Sequence, residues 1–434
     1  MNNGENNNPE KPRGSFFGKI KKKIKSGISR YEEKRARKDI IFTETITPRP
    51  EAKAPTMVCG SIDYQFLLTV LALIVFGAVM SFSASYAFAE YRYDDSTYFI
   101  KRYILFAVIS IIGTAVFVII GNPRFWRIFG AGSYAVSIVL LLVVLVVGST
   151  GGGAQRWISF GFFTVQPSEI AKMAVVMMLA LYMSFYEKEI KSVHVFGGSF
   201  KKGVLVPGAI VGLICGLVMF ERHISGVIII GLIGLAVMYL GGTHKKWIFL
   251  ILGILAAAAL LLILVSSYAQ DRVTSWLKIA FSPETVDTHG DAWQTLHGLD
   301  AIGSGGLFGR GLGNSLLKEG YVSQPQNDFI FTIICEELGF VGAAMLMGLF
   351  GFLVYRGFRI ASRCPDKYLS LVAYGLSFKV ALQVILNVAV VTNSIPNTGV
   401  ALPFFSSGGS SLAVQIFEMG VILSISRFSA EKKA

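Results

Sequence analysis

The chain has 434 residues, 53% of them hydrophobic and 15% charged, with a formal net charge of +13. Its apolar residues fall in long uninterrupted blocks rather than stripes, which is membrane composition and excludes an ordinary soluble domain. Nor does the charge point to nucleic acid, because a dozen Lys and Arg are gathered in one tail between Lys11 and Lys38.

In chain order, residues 1–60 read as a basic cytoplasmic tail. Phe17, Ile20, Ile24 and Ile28 recur at near-helical spacing among its lysines, so it is either a helix lying on an anionic leaflet or a disordered segment that only sets topology. The first apolar block starts after Tyr64 and is expected to serve as its own insertion signal. Spans follow at 65–87, 103–120, 128–149, 168–186, 204–220, 224–240, 247–267, 329–354, 369–391 and 410–426. The fold predicted is an all-α polytopic membrane protein of about ten transmembrane helices. A large extracytoplasmic loop, 268–328, joins helices 7 and 8, the transmembrane domain covers 61–427, and 428–434 is a cytoplasmic tail. The even-to-odd connections are basic, with Arg124, Arg127, Lys188, Lys191, Lys201, Lys202, Lys245, Lys246, Arg356, Arg359 and Arg363, while the last odd-to-even one, Thr392–Gly409, has neither Lys nor Arg. The positive-inside rule then puts both termini in the cytoplasm. Cys59, Cys215, Cys335 and Cys364 all fall outside the extracytoplasmic loops, which argues against structural disulfides and a Cys-based metal site.

The loop before the fourth span runs Gly153-Ala154-Gln155-Arg156-Trp157-Ile158 into Gln166-Pro167-Ser168-Glu169-Ile170-Ala171-Lys172. Pro167 and Glu169 are ordinary helix-start chemistry. Lys172 lies a turn inside the apolar region, where it pairs with Glu169 at i,i+3 or meets an anionic headgroup. In the long loop, acids at Glu284, Asp287 and Asp291 precede the glycine-dense stretch Gly303–Ser315. Such glycines allow a backbone nest for phosphate oxygens, although a plain turn-rich loop is the better account, and no Gly-Lys-Ser/Thr follows to make an ATP loop. Asp328 stands at the start of the eighth span, favourable against the helix dipole. Glu336 and Glu337 lie two turns inside it, where an acid needs a partner or a watery cavity.

Together these segments resemble the SEDS family (shape, elongation, division and sporulation). The resemblance rests on Arg156-Trp157-Ile158, Gln166-Pro167-Ser168-Glu169, Gly303-Ser304-Gly305-Gly306-Leu307, Asn327-Asp328-Phe329-Ile330-Phe331, Glu336-Glu337-Leu338-Gly339 and Leu402-Pro403-Phe404-Phe405-Ser406-Ser407-Gly408-Gly409-Ser410-Ser411. The stretch Gly311–Ser315 with Lys318 and Tyr321 is similar to the FtsW-like branch. Three positions depart from the family pattern: Thr288, where Pro is frequent; Gln324-Pro325-Gln326-Asn327 before Asp328; and Arg222-His223-Ile224-Ser225-Gly226, where an Asp-Leu-Gly is common. No role is assigned to His223.

The resemblance implies a peptidoglycan glycosyltransferase of cell division or sporulation that joins lipid-linked disaccharide-peptides (lipid II) with inversion and releases polyprenyl diphosphate. It maps the essential acid onto Asp287, with Gly290, Trp293 and Gln294 in step. A diphosphate leaves readily, so one general base and positive charge suffice. Asp287 is the expected base. Arg156, Arg272 and Lys318 are the expected phosphate partners, and Glu169, Lys172, Gln294, Asp328 and Ser410 complete the substrate-binding set. A divalent cation, Mg or Mn, is a further expectation, with Glu284, Asp287 and Asp291 on one face if that stretch is helical. The implied partners are a class B penicillin-binding transpeptidase and other divisome membrane proteins, at the septum. Two other readings stay open: a lipid II flippase using Lys172 and Lys379, the latter on one face with Gln383 and Asn387, and a non-catalytic divisome scaffold.

Overall fold

Asp63, Asn122 and Asp366 show how apolar blocks become discrete helices. Each caps a helix, accepting from Phe66 N at 2.9 Å, Phe125 N at 2.8 Å and Leu369 N at 3.0 Å, which satisfies backbone donors that have no partner within the helix. The computed structural model describes residues 57–151, 154–161, 163–191, 200–221, 223–282, 284, 291–316, 318, 327–406 and 408–430. The basic tail through residue 56 and the acid Asp287 lie outside the described residues.

Among the described residues, twelve long helices carry the fold, besides the short Glu187–Ile190: α1 (Tyr64–Tyr93), α2 (Tyr98–Ile120), α3 (Pro123–Val147), α4 (Pro167–Phe185), α5 (Lys201–Phe220), α6 (Ile224–Gly241), α7 (Lys245–Val265), α8 (Ser267–Phe281), α9 (Asp291–Ser304), α10 (Ile330–Arg363), α11 (Lys367–Val391) and α12 (Gly409–Ile425). Among the described residues nine are long and apolar enough to cross a membrane, and α12, with 17 residues, is a shorter tenth. The two that remain, α8 and α9, lie within the long connection between the seventh and eighth spans.

The least apolar spans are the innermost. In α4 and α11, 67% and 61% of the most apolar stretch is buried, whereas in α7 none is. Lipid is as apolar as leucine, so burying leucine gains little in a membrane, while a charge left facing lipid is costly and turns inward. Helix α4 packs against α3, α6 and α11, and α10 packs against α11 and α1.

Among the described residues, two small antiparallel sheets complete the fold. Strand β1 (Met57–Cys59) pairs with β5 (Phe428–Ala430), Met57 opposite Ala430. This ribbon pairs the segment just before the expected limit at 60/61 with the segment just after the one at 427/428. Strands β2 (Ser149–Gly151), β3 (Ala154–Ser159) and β4 (Thr164–Val165) form a three-stranded sheet between α3 and α4.

Helix α10 is broken at Gly339, whose φ of 66° and ψ of −167° are not helical. The glycine stretch laces into this break. Arg310 N donates to Glu336 O at 2.9 Å, Gly311 N to Glu337 O at 3.0 Å, and Phe340 N back to Gly306 O at 2.9 Å. A Cβ at Gly309 would lie 2.1 Å from Glu337 O, and one at Gly339 would lie 2.3 Å from Gly309 N. Only glycine permits so close a backbone approach at positive φ.

Candidate functional site

The connections after the third, fifth, seventh and ninth spans meet at one end of the bundle. Ser168 Oγ lies 3.3 Å from His223 Nδ1. Ser225 Oγ donates to Thr398 O and Arg272 to Asn397 O. Trp276 Nε1 donates to Asn393 O at 2.8 Å, and Ser406 Oγ to Asn327 O at 2.7 Å. Asn387 Nδ2 donates to both Asp328 O at 2.8 Å and Val400 O at 2.7 Å.

Beneath this surface lie two buried ion pairs. Lys172 Nζ donates to Glu169 Oε1 at 2.7 Å, the i,i+3 pairing that the sequence suggests. Lys379 Nζ donates to Glu418 Oε1 at 2.5 Å, both side chains wholly buried. The pairs interact with each other across the α4–α11–α12 contact. Each ammonium removes the cost of an isolated charge, but Glu169 Oε2 and Glu418 Oε2 have no hydrogen-bond partner among the described residues. The face of Lys379, Gln383 and Asn387 points inward, as their spacing predicts.

At the α5–α6 turn two further groups are tuned by burial. Glu221 is 1% exposed, and neither carboxyl oxygen has a hydrogen-bond partner among the described residues. Burial pushes its pKa up to about 8 despite the nearby Arg156, so it is largely a neutral acid at pH 7. Burial, with the Arg156 and Lys172 charges, pushes His223 down to about 3, keeping its imidazole neutral.

The expected site residues divide accordingly. Arg156, on β3, is half-buried and acts electrostatically on His223 and Glu221. Glu169 and Lys172 lie at the start of α4. Arg272 reaches the Asn397 carbonyl, Gln294 is half-buried on α9, and Asp328 is half-buried just before α10. Ser410 stands in the first turn of α12, its Oγ shut off from solvent and without a hydrogen-bond partner among the described residues. Lys318, expected to face a phosphate, is 6% exposed, with Nζ donating to Glu337 Oε1 at 2.9 Å and Gly313 O at 2.7 Å.

The glycine stretch forms turns packed against the break in α10. Besides the backbone bonds in the α10 break, Leu316 N donates to Glu336 Oε1 at 3.0 Å and Ser315 Oγ to Glu336 Oε2 at 2.5 Å. Ser83 Oγ, on α1, reaches Glu337 at 2.7 Å.

Sequence reasoning passed over Glu418, Glu221 and Ser83. An acid inside or at the edge of an apolar span is itself a signal, so Glu418 and Glu221 were within reach. Nothing local marks Ser83. Among the described residues no three His, Cys, Asp or Glu converge on a metal position. Glu284 is exposed, and Asp287 is outside the described residues.

These features define a polytopic membrane protein that builds a charged, partly unsaturated site at one end of an apolar bundle. The model of the FtsW/RodA/SpoVE cell cycle proteins matches residues 64–431. The chain belongs to that family. It is 37% identical over 372 residues to stage V sporulation protein E of Bacillus subtilis (strain 168), covering 85% of this chain and 97% of that protein. It is 33% identical to a probable peptidoglycan glycosyltransferase FtsW of Coxiella burnetii, covering 84% and 96%. The fold matches a chain of a peptidoglycan synthase complex, described as coordinating polymerization and crosslinking, with a TM-score of 0.68, 24% identity and coverage of 84% and 98%. It also matches the rod shape determining protein RodA of Thermus thermophilus, with a TM-score of 0.60, 23% identity and coverage of 84% and 97%.

Proposed function

We infer that the chain is a peptidoglycan glycosyltransferase that polymerises lipid II during cell division or sporulation. The observation that carries this is the gathering of Arg156, Ser168, Glu169, Lys172 and His223 at the end of the bundle that also holds α8 and α9, the helices flanking Asp287. The relatives named glycosyltransferases match nearly full length.

In the reaction, a sugar 4-hydroxyl of one lipid-linked disaccharide attacks the anomeric carbon of a second, chain-bearing lipid. A C–O bond forms as the bond to the diphosphate breaks, in a single displacement that inverts the anomeric centre. Asp287 takes the hydroxyl proton as general base. Arg156 and Arg272 supply positive charge for the departing polyprenyl diphosphate, and Lys172, held by Glu169, sets the field below them. The carboxylates Glu284, Asp287 and Asp291 are of the type that a hard divalent cation, Mg or Mn, prefers, and such an ion would add charge at the diphosphate. Basic inner connections support cytoplasmic termini with the catalytic loop outside, and a place at the septum goes with the polymerase reading. The synthase-complex likeness supports a class B penicillin-binding transpeptidase as partner, beside other divisome membrane proteins.

Polymerisation of lipid II by the reconstituted protein with its transpeptidase tests the reading. Asp287→Asn is expected to reduce chain growth by roughly 100- to 10,000-fold while insertion and partner binding persist. Near-normal growth in Asp287→Asn with a dead Asp291→Asn moves the base to Asp291. Near-normal growth in both returns the flippase and scaffold readings.

A further inference from the structure

At the end of the bundle that carries the β1–β5 ribbon, three helices leave a slot between them. Helices α1 and α12 each pack along α2 but meet one another only slightly, and small residues, Ala115 on α2 and Gly420 on α12, line the space that remains. Gly420 also lets α12 close on α2, since a Cβ there would lie 1.9 Å from Thr114 Cγ2. The slot has a volume of about 360 Å³, and among the described residues its lining is apolar apart from Thr114 and Arg427. It is closed towards the middle of the bundle. Ile74 is its last residue on α1, and there Tyr103 OH donates to Phe404 O at 2.7 Å and lies 3.1 Å from Ile74 O. One turn further on, a Cβ at Gly77 would lie 2.4 Å from Phe404 O. From Phe66 to Ile74 the slot rises about 12 Å, within one half of a hydrocarbon core about 30 Å thick. Arg427 marks the other end, its Nη1 donating to Val118 O at 2.6 Å and Ile119 O at 3.1 Å where α2 finishes. The ribbon is tied to the same residue, Gly60 N donating to Arg427 O at 2.7 Å. Asp63, the acid that starts α1, is paired with Arg356.

We propose that this slot holds one acyl chain of an anionic phospholipid, with the headgroup phosphate against Arg427. Closure at Ile74 excludes a partner's transmembrane helix, which needs a groove along the whole of a core about 30 Å thick. Water is a poor occupant of an apolar cavity. Left empty, the slot forfeits the dispersion contacts of every side chain that lines it. A chain entering from one leaflet matches both the depth and the lining. Burial of the chain gains little in itself, because lipid is as apolar as leucine. Two things therefore set this position apart from the surrounding bilayer: a void that a single chain fills, and a guanidinium at its mouth whose planar fork suits a phosphate. The Asp63 carboxylate is offset by Arg356, so it does not cancel the Arg427 charge. The bound lipid joins α1 to α12 where those helices barely touch. No residue of the polar site lines the slot, so the proposal is independent of the polymerase reading.

The full chain, purified in detergent and stripped of lipid, is titrated in native mass spectrometry with phosphatidylglycerol and with phosphatidylcholine of the same chains. The parent is expected to bind a single phosphatidylglycerol saturably, about fivefold tighter than phosphatidylcholine. Ala115→Trp places an indole in the slot and should weaken both lipids about tenfold. Arg427→Gln should bring phosphatidylglycerol down to the level of phosphatidylcholine, while Arg427→Lys, which keeps the charge, should keep the preference. Val139→Trp, on an exposed face of α3, should change neither. A phosphatidylglycerol with a diazirine on one chain needs no variant, and its adducts on the parent should fall on Leu67, Ala115 and Leu423. Adducts scattered over the outer faces of the bundle overturn the proposal, as does a folded Ala115→Trp that binds lipid like the parent. Equal binding of the two phospholipids by the parent overturns it too. So does displacement of phosphatidylglycerol by an equal concentration of a polyprenyl phosphate, which would make the slot an isoprenoid site.

Discussion

Glu336 and Glu337 on α10, and Glu169 and Glu418 deeper in the bundle, are all buried acids, yet they are held differently. Every carboxylate oxygen of the α10 pair has a donor, from Ser315, Leu316, Lys318 or Ser83. In the deeper pair each acid has one oxygen on a lysine and one without a hydrogen-bond partner among the described residues. A saturated acid fastens backbone to backbone, here the glycine stretch to the α10 break. An unsaturated one retains capacity for a proton, a water or a ligand, at a cost that packing elsewhere must offset. Glu221, with no hydrogen-bond partner on either oxygen among the described residues, is the extreme of the second kind.

Three experiments break or sharpen this contrast. The largest effect is expected at the saturated joint. Gly339→Ala forces a side chain into glycine-only backbone space and against Gly309 N, which should cost more than about 4 kcal/mol. The readout is loss of monodisperse protein after detergent extraction, and a well-folded variant would show that the lacing is dispensable.

Next comes the deeper pair. Lys379→Met leaves Glu418 buried and alone, at about 3–5 kcal/mol, whereas Lys379→Met combined with Glu418→Leu should recover most of that loss. If thermal stability recovers but chain growth does not, the pair serves activity. If both recover, it is replaceable packing.

The smallest effect is at Glu221. Its folded pKa of about 8 lies above the ordinary 4.5, so the folded state keeps a proton that the unfolded state releases. Stability present below pH 4.5 is therefore lost as pH rises to about 8. Glu221→Gln cannot ionise, so its Tm should gain on the parent as pH rises across that window. A gap independent of pH would place the carboxyl in water.

Much of the fold was legible from local signals. Unbroken apolar runs mark spans, because every backbone group in lipid must be satisfied within its own helix. Asp63, Asn122 and Asp366 mark starts. The Glu169–Lys172 pair was legible because three residues on a helix fix proximity before any packing occurs. The inward face of Lys379, Gln383 and Asn387 followed from helical period and the cost of charge in hydrocarbon.

What the sequence by itself determined was therefore which residues could not face lipid and which segments had to cross it. The tertiary structure alone decided how each polar group was satisfied. Lys379 meets an acid 39 positions away, and Glu337 meets a serine 254 positions away. Lys318 meets Glu337 because the broken α10 placed that acid beside it. The physical reason is one of range. Solvation cost and helical period act within a few residues, whereas a hydrogen-bond partner is set by which helices pack together, and only the assembled bundle fixes that.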